Sequence, residues 1–290
     1  SIDNIRADRL DGNFERAVLS PDRKSKSLIC ENSKVRIDAA FPVMHGMGGE
    51  DGTLQGLIEL AGLPICGCGV LPSAICMDKD RAHRLASTAQ INIPKAKTFT
   101  DLAEIDLLTI EKAIGFPAFV KPLRGGSSCG VSRVVSSNKL AKATEKAFEF
   151  DSEIIIEQEI KGVEVGCAVI GNKDLIVGEV DVIEITDGFF DYTEKYTPKT
   201  SQIFCPAPVS ADISNRIKGT AKAIYRTLGC SGFARVDMFL TESGEIIFNE
   251  VNTIPGFTEH SRFPSMMRAA GYSFAQVIEM IIDGAVNGNG

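Results

Sequence analysis

A strand-turn-strand pattern near the C-terminus constrains the fold of this chain more than any other segment. GFARVDMFLTESGEIIFNEVN predicts two strands joined by a two-residue turn at Ser243-Gly244. Each strand carries two polar residues at i, i+2, a spacing that places both side chains on one face. With that turn, Asp237 lies opposite Glu250 and Arg235 lies opposite Asn252.

Two carboxylates, an amide and a guanidinium would thus share one small patch. Like charges held so close repel each other, so the patch is costly unless a cation lies between the carboxylates. Hard oxygen ligands of this kind suit Mg²⁺ that carries substrate phosphates. The alternative is a solvated hairpin face with ordinary polar residues.

Composition limits the class of protein. The chain has 290 residues, 44% of them hydrophobic, which is enough for a substantial core in two or three lobes. The net charge of −7 argues against a nucleic-acid partner, and the apolar runs are too short to span a membrane. Eight cysteines without CxxC pairs predict buried thiols in a reducing cytoplasm, and no disulfide scaffold or zinc site.

The pattern of apolar residues predicts an α/β (α+β) fold. We expect a buried strand at AAFPVMHG, a helix closed by Gly62, a short strand at PICGCG and a helix capped by Asp78. Farther along, strands at FPAFVKP, VSRVV, EIIIEQE, VEVGCAVI and LIVGEVDVIEI accompany helices at KLAKATEKAFEF, at 211–228 and at FAQVIEMIID.

A glycine-rich loop, RGGSSCG at 124–130, lies between two predicted strands. Its glycines permit turns that point backbone N–H groups inward, so the loop can hold phosphates, although most such loops only join a hairpin. Lys121 at the end of an apolar strand favours an anionic partner beside the loop. Lys79, at the start of a helix, is equally consistent with a surface lysine.

Glu157 and Glu164 flank a short link between two predicted lobes. Acceptors there can bind an adenine amino group or a ribose hydroxyl. Exposure to solvent at a strand end is the alternative explanation.

Five motifs in order connect these pieces. They are HGxxGEDGxxQG from His45, CMDK ending at Lys79, KPxRxGSSxGVS from Lys121, GFARVD ending at Asp237, and NEVNTIPGFTEHSRFP from Asn249. From about residue 37 onward the chain resembles the D-alanine:D-alanine ligases of the ATP-grasp superfamily.

The resemblance implies three domains, at 1–78, 79–161 and 162–290, with ATP held between the central and C-terminal lobes. It implies an ATP-dependent ligase that phosphorylates one D-amino acid and joins the acyl phosphate to the amine of a second. ATP and two Mg²⁺ ions, which Mn²⁺ can replace, would be the cofactors. D-alanine and D-serine would be the substrates, and the protein would be a cytoplasmic homodimer that makes a cell-wall precursor dipeptide.

The resemblance also assigns roles to residues. The ATP contacts are Lys79, Lys121, Ser128, Glu157, Ile160 and Glu164. The metal ligands are Asp237, Glu250 and Asn252. The catalytic groups are Arg235 and the Gly256 N–H, which stabilise an oxyanion, with Ser127 and Tyr196, which position the first substrate. The groups lining the substrate subsites are His45, Lys195, Ser261 and Arg262. For His45, a histidine bonded to its own loop is the alternative.

The N-terminus departs from the family pattern. Members open with a strand and a glycine-rich turn that bears a glutamate, and Ser1 to Leu19 contains no such motif. We therefore expect an incomplete N-terminal lobe, because the sequence is either a truncated form or has an impaired first subsite.

A second departure bears on specificity. Arg262 follows His260-Ser261 where most D-Ala:D-Ala ligases have an apolar residue, and this form, together with GFFDYTEKY, is similar to vancomycin-resistance ligases of the D-Ala:D-Ser type. A cationic donor in the second subsite favours a hydroxyl-bearing acceptor. D-lactate ligases share the arginine but have a histidine in place of Lys195-Tyr196. A housekeeping D-Ala:D-Ala ligase is the close alternative, and a nucleotide-binding ATP-grasp protein without catalysis is the more distant one.

Overall fold

The computed structural model describes residues 16–126, 129–185 and 201–288. Within those ranges the strands form three sheets, one of three strands, one of four and one of six. Each sheet is built from one continuous stretch of the chain, in the order N-terminal, central and C-terminal. This mixed architecture confirms the predicted α/β (α+β) class.

The N-terminal sheet is a small antiparallel meander. Its strands are β1 (Ala17–Leu19), β2 (Ser27–Cys30) and β3 (Lys34–Arg36). The strands predicted at AAFPVMHG and PICGCG are wrong, because these segments meet only in a single parallel bridge between Ala40 and Ile65. The glycines and prolines around this bridge keep the chain from continuing a ladder.

The central sheet has the order β4-β7-β5-β6 and is antiparallel throughout. Its strands are β4 (Ala96–Phe99), β5 (Ala118–Pro122), β6 (Ser132–Val134) and β7 (Ile154–Gln158). Ile154 and Ile156 pack on the apolar stripe of the helix at 140–148, whose Leu140, Ala143 and Ala147 recur at helical spacing. The predicted glycine-rich loop joins β5 to β6, as expected.

The C-terminal sheet has the order β11-β10-β8-β12-β13, with β9 also pairing with β8. Its strands are β8 (Gly162–Ile170), β9 (Ile176–Val177), β10 (Asp181–Ile185), β11 (Ser201–Phe204), β12 (Phe233–Thr241) and β13 (Ile246–Asn252). Alternate residues of β8, such as Val165 and Cys167, join a core with Ile217 and Ile224 of a long helix. The opposite face of this sheet is therefore available for polar side chains.

The helices follow recognisable end signals. They are α1 (Thr53–Leu60), α2 (Val70–Met77), α3 (Lys79–Thr88), α4 (Leu107–Ala113), α5 (Leu140–Phe148), α6 (Ala211–Thr227), α7 (Arg262–Ala269) and α8 (Phe274–Asn287). Short 3-10 helices cover Leu102–Glu104 and Ser137–Lys139. Asp78 caps α3 by accepting the N–H of Arg81, as predicted, and Ser273 forms a capping box with Gln276.

The hairpin of β12 and β13 differs from its prediction at the turn. The Thr241 N–H donates to the carbonyl oxygen of Glu245 around a three-residue loop, and the Glu245 N–H donates to the hydroxyl of Thr241, so the predicted two-residue turn is wrong. The register then shifts between Asp237 and Met238, because β13 contains one extra residue at Asn249. The extra loop residue and the bulge shift the register by one residue in opposite directions. Asp237 therefore still faces Glu250, and the predicted pairing is confirmed.

All eight cysteines lie in described residues and are free thiols. Cys129 is exposed and Cys30 and Cys205 are half-buried, so the prediction that all of them are buried is wrong for these three residues. Cys76 and Cys230 lie 3.8 Å apart between sulfur atoms in the core. Among the described residues no group of three or more His, Cys, Asp or Glu side chains is arranged to hold a metal ion.

None of the helices in the described part of the chain combines the length and the apolar character needed to cross a membrane.

Candidate active site

The candidate site lies on the polar face of the C-terminal sheet. One row of paired residues crosses four strands: Asp181 on β10, Gly166 on β8, Asp237 on β12 and Glu250 on β13. Residues paired across neighbouring strands point to the same face, so three carboxylates share this row. Such a row needs cations to offset its charge.

Arg235 supplies the first of these cations. Its Nε donates to Oδ1 of Asp237 at 2.8 Å and its Nη2 donates to Oδ2 at 2.6 Å. Asn252 donates from Nδ2 to the same Oδ2 at 2.8 Å. Burial lowers the pKa of the Arg235 guanidinium, whereas the neighbouring Asp237 raises it. The net effect is a raised pKa. The four residues predicted to share the hairpin patch are thus brought together.

Arg262 supplies the second cation from the start of α7. Its Nε and Nη2 each lie 2.8 Å from a carboxylate oxygen of Asp181, and its Nη1 lies 3.0 Å from Oε1 of Glu164. Burial disfavours its charge, yet Asp181 and Asp237 raise its pKa well above the ordinary value. Arg262 is therefore already paired with carboxylates of the chain. A substrate that contacts Arg262, as predicted for the acceptor amino acid, would contact a guanidinium that is held by Asp181.

Gly166 creates the space that Arg262 occupies. A Cβ at this position would lie 2.5 Å from Nη2 of Arg262 and 2.7 Å from Oδ1 of Asp181. The backbone N–H of Gly166 also donates to Asp181 at 3.0 Å. Only a residue without a side chain leaves room for a guanidinium to lie flat over the middle of the sheet.

The chemistry of the donor set fits a divalent cation. Asp237, Glu250 and Asn252 present hard oxygen atoms from two adjacent strands on one face. Two carboxylates and one amide would leave coordination positions for phosphate oxygens, which is how Mg²⁺ is usually bound beside a nucleotide. These residues therefore suit Mg²⁺ together with a phosphate-bearing substrate.

Lys121 and Glu157 form a buried ion pair between β5 and β7. The lysine Nζ lies 2.6 Å from Oε2 of Glu157, and the two side chains are 15% and 4% exposed. Burial alone would raise the pKa of Glu157, but Lys121, His83 and Lys79 together lower it. The anionic partner expected for Lys121 is thus present within the chain.

The alternative of solvent exposure for the two glutamates is wrong. The side chain of Glu164 is only 18% exposed and lies against Arg262. Burial raises the pKa of Glu164 against the opposing effect of Arg262. Ile160 lies half-buried in the link between β7 and β8, so the predicted nucleotide residues line one junction between the central and C-terminal sheets.

Lys79 reaches the glycine-rich loop rather than solvent. Its Nζ donates to the carbonyl oxygen of Gly125 at 2.7 Å. Burial lowers the pKa of Lys79, and Lys121 lowers it further, while Glu250 and Glu157 oppose the change. Lys79 therefore binds the loop, and both lysines lie near the carboxylate Glu250, which contradicts the surface-lysine alternative.

The HGxxGEDG loop contacts the C-terminal sheet through Glu50. This carboxylate accepts the N–H of Gly46 at 2.7 Å and the N–H of Ile254 at 3.3 Å. Burial raises its pKa, and nearby His45 acts in the opposite direction. His45 itself is exposed beside Glu50, so the loop brings a predicted subsite residue next to the end of β13.

Gly256 and Ser261 meet after β13. A Cβ at Gly256 would lie 3.0 Å from the hydroxyl oxygen of Ser261, which accepts the N–H of Thr258 at 3.0 Å. This turn holds the Gly256 backbone close to the start of α7. The remaining predicted site residues, Ser127, Ser128, Lys195 and Tyr196, lie outside the described residues.

Sequence reasoning missed three polar side chains at the site: the half-buried Glu50 and the buried His83 and Asp181. His83 and Asp181 are 3% and 0% exposed. Asp181 left a signal, because it interrupts the apolar segment LIVGEVDVIEI. No sequence pattern indicated His83, since its partners Glu157 and Asn249 are distant in sequence.

Comparison with known proteins then decides the family. The family model described as D-ala D-ala ligase C-terminus matches residues 85–283, and the one described as D-ala D-ala ligase N-terminus matches residues 6–68. The chain belongs to the D-alanine–D-alanine ligase family. It is a ligase, and the family uses ATP with a divalent metal and small amino-acid substrates.

Individual members of the D-alanine–D-alanine ligase family resemble the chain over most of its length. The vancomycin B-type resistance protein VanB of Enterococcus faecalis is 47% identical over 281 residues, which are 93% of this chain and 80% of that protein. A D-alanine–D-alanine ligase of Shouchella clausii is 40% identical, over 99% of this chain and 79% of that protein.

A solved structure confirms the predicted fold. The VanG D-Ala:D-Ser ligase of Enterococcus faecalis superimposes with a TM-score of 0.90 and 50% identity, covering 99% of this chain and 84% of that one. The chain therefore has the fold of the D-alanine–D-alanine ligases, with similarity to their vancomycin-resistance members.

Proposed function

We propose that this protein joins D-alanine to D-serine through a D-alanyl phosphate. The observation that carries the proposal is the buried pair of Arg262 and Asp181 at the start of α7. The pair borders a cavity of about 470 Å³ that is also lined by His260 and Ser265. A serine hydroxyl can donate to Asp181 and accept from Arg262, whereas the methyl group of D-alanine can do neither. A site that pairs with a hydroxyl discriminates against an analogue lacking it.

The nucleotide would lie between the two larger sheets. Glu157, the Ile160 backbone and Glu164 would bind the adenine and the ribose, and Lys79 and Lys121 would bind the phosphates. This assignment is supported by the hydrogen bond of Lys79 to the glycine-rich loop and by Glu250 lying near both lysines.

Asp237, Glu250 and Asn252 would hold two Mg²⁺ ions. When bound, Mg²⁺ would offset the negative charge that develops on the phosphates during transfer. Arg235 can bind Asp237 and still turn remaining N–H groups toward a substrate, since a guanidinium has five donors.

The acyl-transfer step depends on donors that the chain provides. Arg235 and the Gly256 N–H would donate to the oxyanion that forms when the acceptor amine attacks the acyl phosphate. Ser261 and His45 would line the acceptor and donor subsites, and Ser127, Ser128, Lys195 and Tyr196 would complete the site from segments outside the described residues. We infer that the reaction takes place in the cytoplasm.

Product analysis tests the proposal. The purified protein is given ATP, Mg²⁺ and equal amounts of D-alanine and D-serine, and the two dipeptides are separated by mass spectrometry. We expect D-Ala-D-Ser in excess near neutral pH, with phosphate release stimulated by D-serine. Asp181→Asn should shift the products toward D-Ala-D-Ala, while Ser243→Ala in the distant hairpin loop serves as a control. An excess of D-Ala-D-Ala from the unaltered protein would identify a housekeeping ligase instead.

We also infer three domains and a homodimer. The three sheets fall within 1–78, 79–161 and 162–290, one in each proposed domain. Leu57 and Leu60 on α1 and Leu71 on α2 are 45%, 66% and 69% exposed, so they offer an apolar surface to a second copy. Light scattering should give twice the chain mass, and Leu60→Lys should give a monomer. A monomeric mass for the unaltered protein would exclude the dimer.

A further inference from the structure

Two buried polar atoms face each other beside the Lys121-Glu157 pair. Nδ1 of His83 lies 3.7 Å from Oε1 of Glu157, and neither atom has a hydrogen-bond partner among the described residues. Both residues are only 3% exposed. A buried polar atom without a partner costs about 1–3 kcal/mol, so two such atoms in contact require an explanation.

The other ring nitrogen fixes one proton. Nε2 of His83 lies 2.8 Å from the carbonyl oxygen of Asn249, the bulge residue of β13. A carbonyl oxygen only accepts, so Nε2 must carry a hydrogen. A neutral ring would then present the lone pair of Nδ1 to a carboxylate oxygen. A second proton on Nδ1 turns this repulsion into an ion pair.

The charges around the ring favour that second proton. Glu157 is ionised, because its pKa is lowered by Lys121, His83 and Lys79 against the effect of burial. Lys121 occupies Oε2 of Glu157, which leaves Oε1 for the histidine. Lys79 lies one turn before His83 on the same helix, and Glu250 follows Asn249 on β13. Phe248 packs edge-on at 5.3 Å between ring centroids and keeps the ring in place.

We propose that His83 carries both ring protons and is a positioning residue of the nucleotide site. It fixes the carboxylate of Glu157, and through it the ammonium of Lys121, while its second N–H ties both to β13 one residue before Glu250. The inference rests on the proposed function, because it treats Glu157 and Lys121 as nucleotide contacts. His83 therefore links the adenine side of the site to its metal side.

Three substitutions separate charge from packing. His83→Lys keeps a cation, His83→Gln keeps a hydrogen-bond donor without charge, and His83→Met keeps only volume. Calorimetry with ADP and Mg²⁺ measures nucleotide affinity, and thermal melts establish that each variant is folded. We expect at least about a tenfold loss of ADP affinity for the glutamine and methionine variants, since both remove the ion pair with Glu157, and a loss within about threefold for the lysine variant.

A spectroscopic measurement tests the proton directly. The sequence has three histidines, so ¹⁵N-histidine spectra are simple and the His83→Gln variant assigns the signal. We expect the spectrum to show a hydrogen on both ring nitrogens of His83 in the buffer used for ADP binding, as the contacts of Nε2 and Nδ1 imply. An unprotonated Nδ1, or a glutamine variant that binds ADP as the unaltered protein does, would overturn the inference. Failure of the unaltered protein to bind ADP would instead refute the proposed function, and the spectrum would still place the proton.

Discussion

Replacing Gly166 with alanine tests whether the guanidinium of Arg262 depends on the space above β8. The added methyl group would lie 2.5 Å from Nη2 of Arg262, 2.7 Å from Asp181 and 2.8 Å from Cε of Met266. These contacts are too short for any of the three atoms to stay in place. The ion pair must therefore move or separate.

The expected cost follows from three contributions. Overpacking a core costs about 1–3 kcal/mol. A weakened charged hydrogen bond adds about 1.5–3 kcal/mol. Replacing a glycine inside a strand returns about 0.5–1 kcal/mol. The net destabilisation is about 1.5–5.5 kcal/mol, which lowers Tm by roughly 3–22 °C at about 2–4 °C per kcal/mol.

The matched control is Gly219→Ala. Gly219 lies inside α6, and a Cβ there would meet no atom within 4 Å. This variant should raise the stability by about 1 kcal/mol. Tm from differential scanning calorimetry and ATP hydrolysis in the presence of both D-amino acids are measured for each protein. If Gly166→Ala melts within about 1 °C of the unaltered protein and keeps its activity, the steric argument is refuted.

Three further substitutions test other parts of the site. Asp237→Asn should lower kcat/KM by about a hundredfold or more and raise the Mg²⁺ requirement, because it removes a ligand and leaves Arg235 without its counter-charge; an unchanged Mg²⁺ dependence would contradict this. Burial raises the pKa of Asp151, but Arg124 outweighs it, so the pKa lies below its ordinary value. This carboxylate therefore stabilises the protein fully above its pKa in the unfolded chain and ceases to do so as pH falls through the lowered value. Asp151→Asn should lower Tm near neutral pH by more than it does in acid, and a loss that stays the same as the pH is lowered through the acid range would refute the argument. Gly130→Ala should weaken ATP binding, because Gly130 has a φ of +73° and its Cβ would lie 2.7 Å from Phe150; an unchanged KM for ATP would contradict the expectation.

The hairpin illustrates how far sequence reasoning reaches. The alternation of polar and apolar residues placed Asp237 opposite Glu250 correctly, although the turn has one residue more than predicted. Side chains alternate between the two faces of a strand, so a turn longer by one residue would alone move the side chains of β13 to the opposite face. The extra residue at Asn249 compensates for this shift, so Asp237 and Glu250 remain paired. Local sequence patterns thus predicted which residues of the hairpin share the face of the site, but not the length of its turn.

Contacts between distant segments could not be predicted in this way. The guanidinium of Arg262 meets Asp181 across 81 positions of sequence, and His83 meets Asn249 across 166. No periodicity links such pairs, because they depend on how the sheets and helices pack. The same limit explains the wrong strand at AAFPVMHG, where apolar residues indicated a buried strand although Val43 and Met44 are exposed.

The bulge of β13 also bears on aggregation. Among the described strands β13 pairs with β12 alone, so one side of it is a sheet edge. Its Phe248 N–H donates to the carbonyl oxygen of Asn92, and its Asn249 carbonyl accepts from His83 on α3. The segment at 83–92 therefore covers edge groups that would otherwise recruit a strand from another molecule. A fragment made only of the C-terminal sheet would expose these edge groups of β13. The helix α3, which carries Lys79 and His83, therefore also prevents the sheets of two molecules from pairing edge to edge.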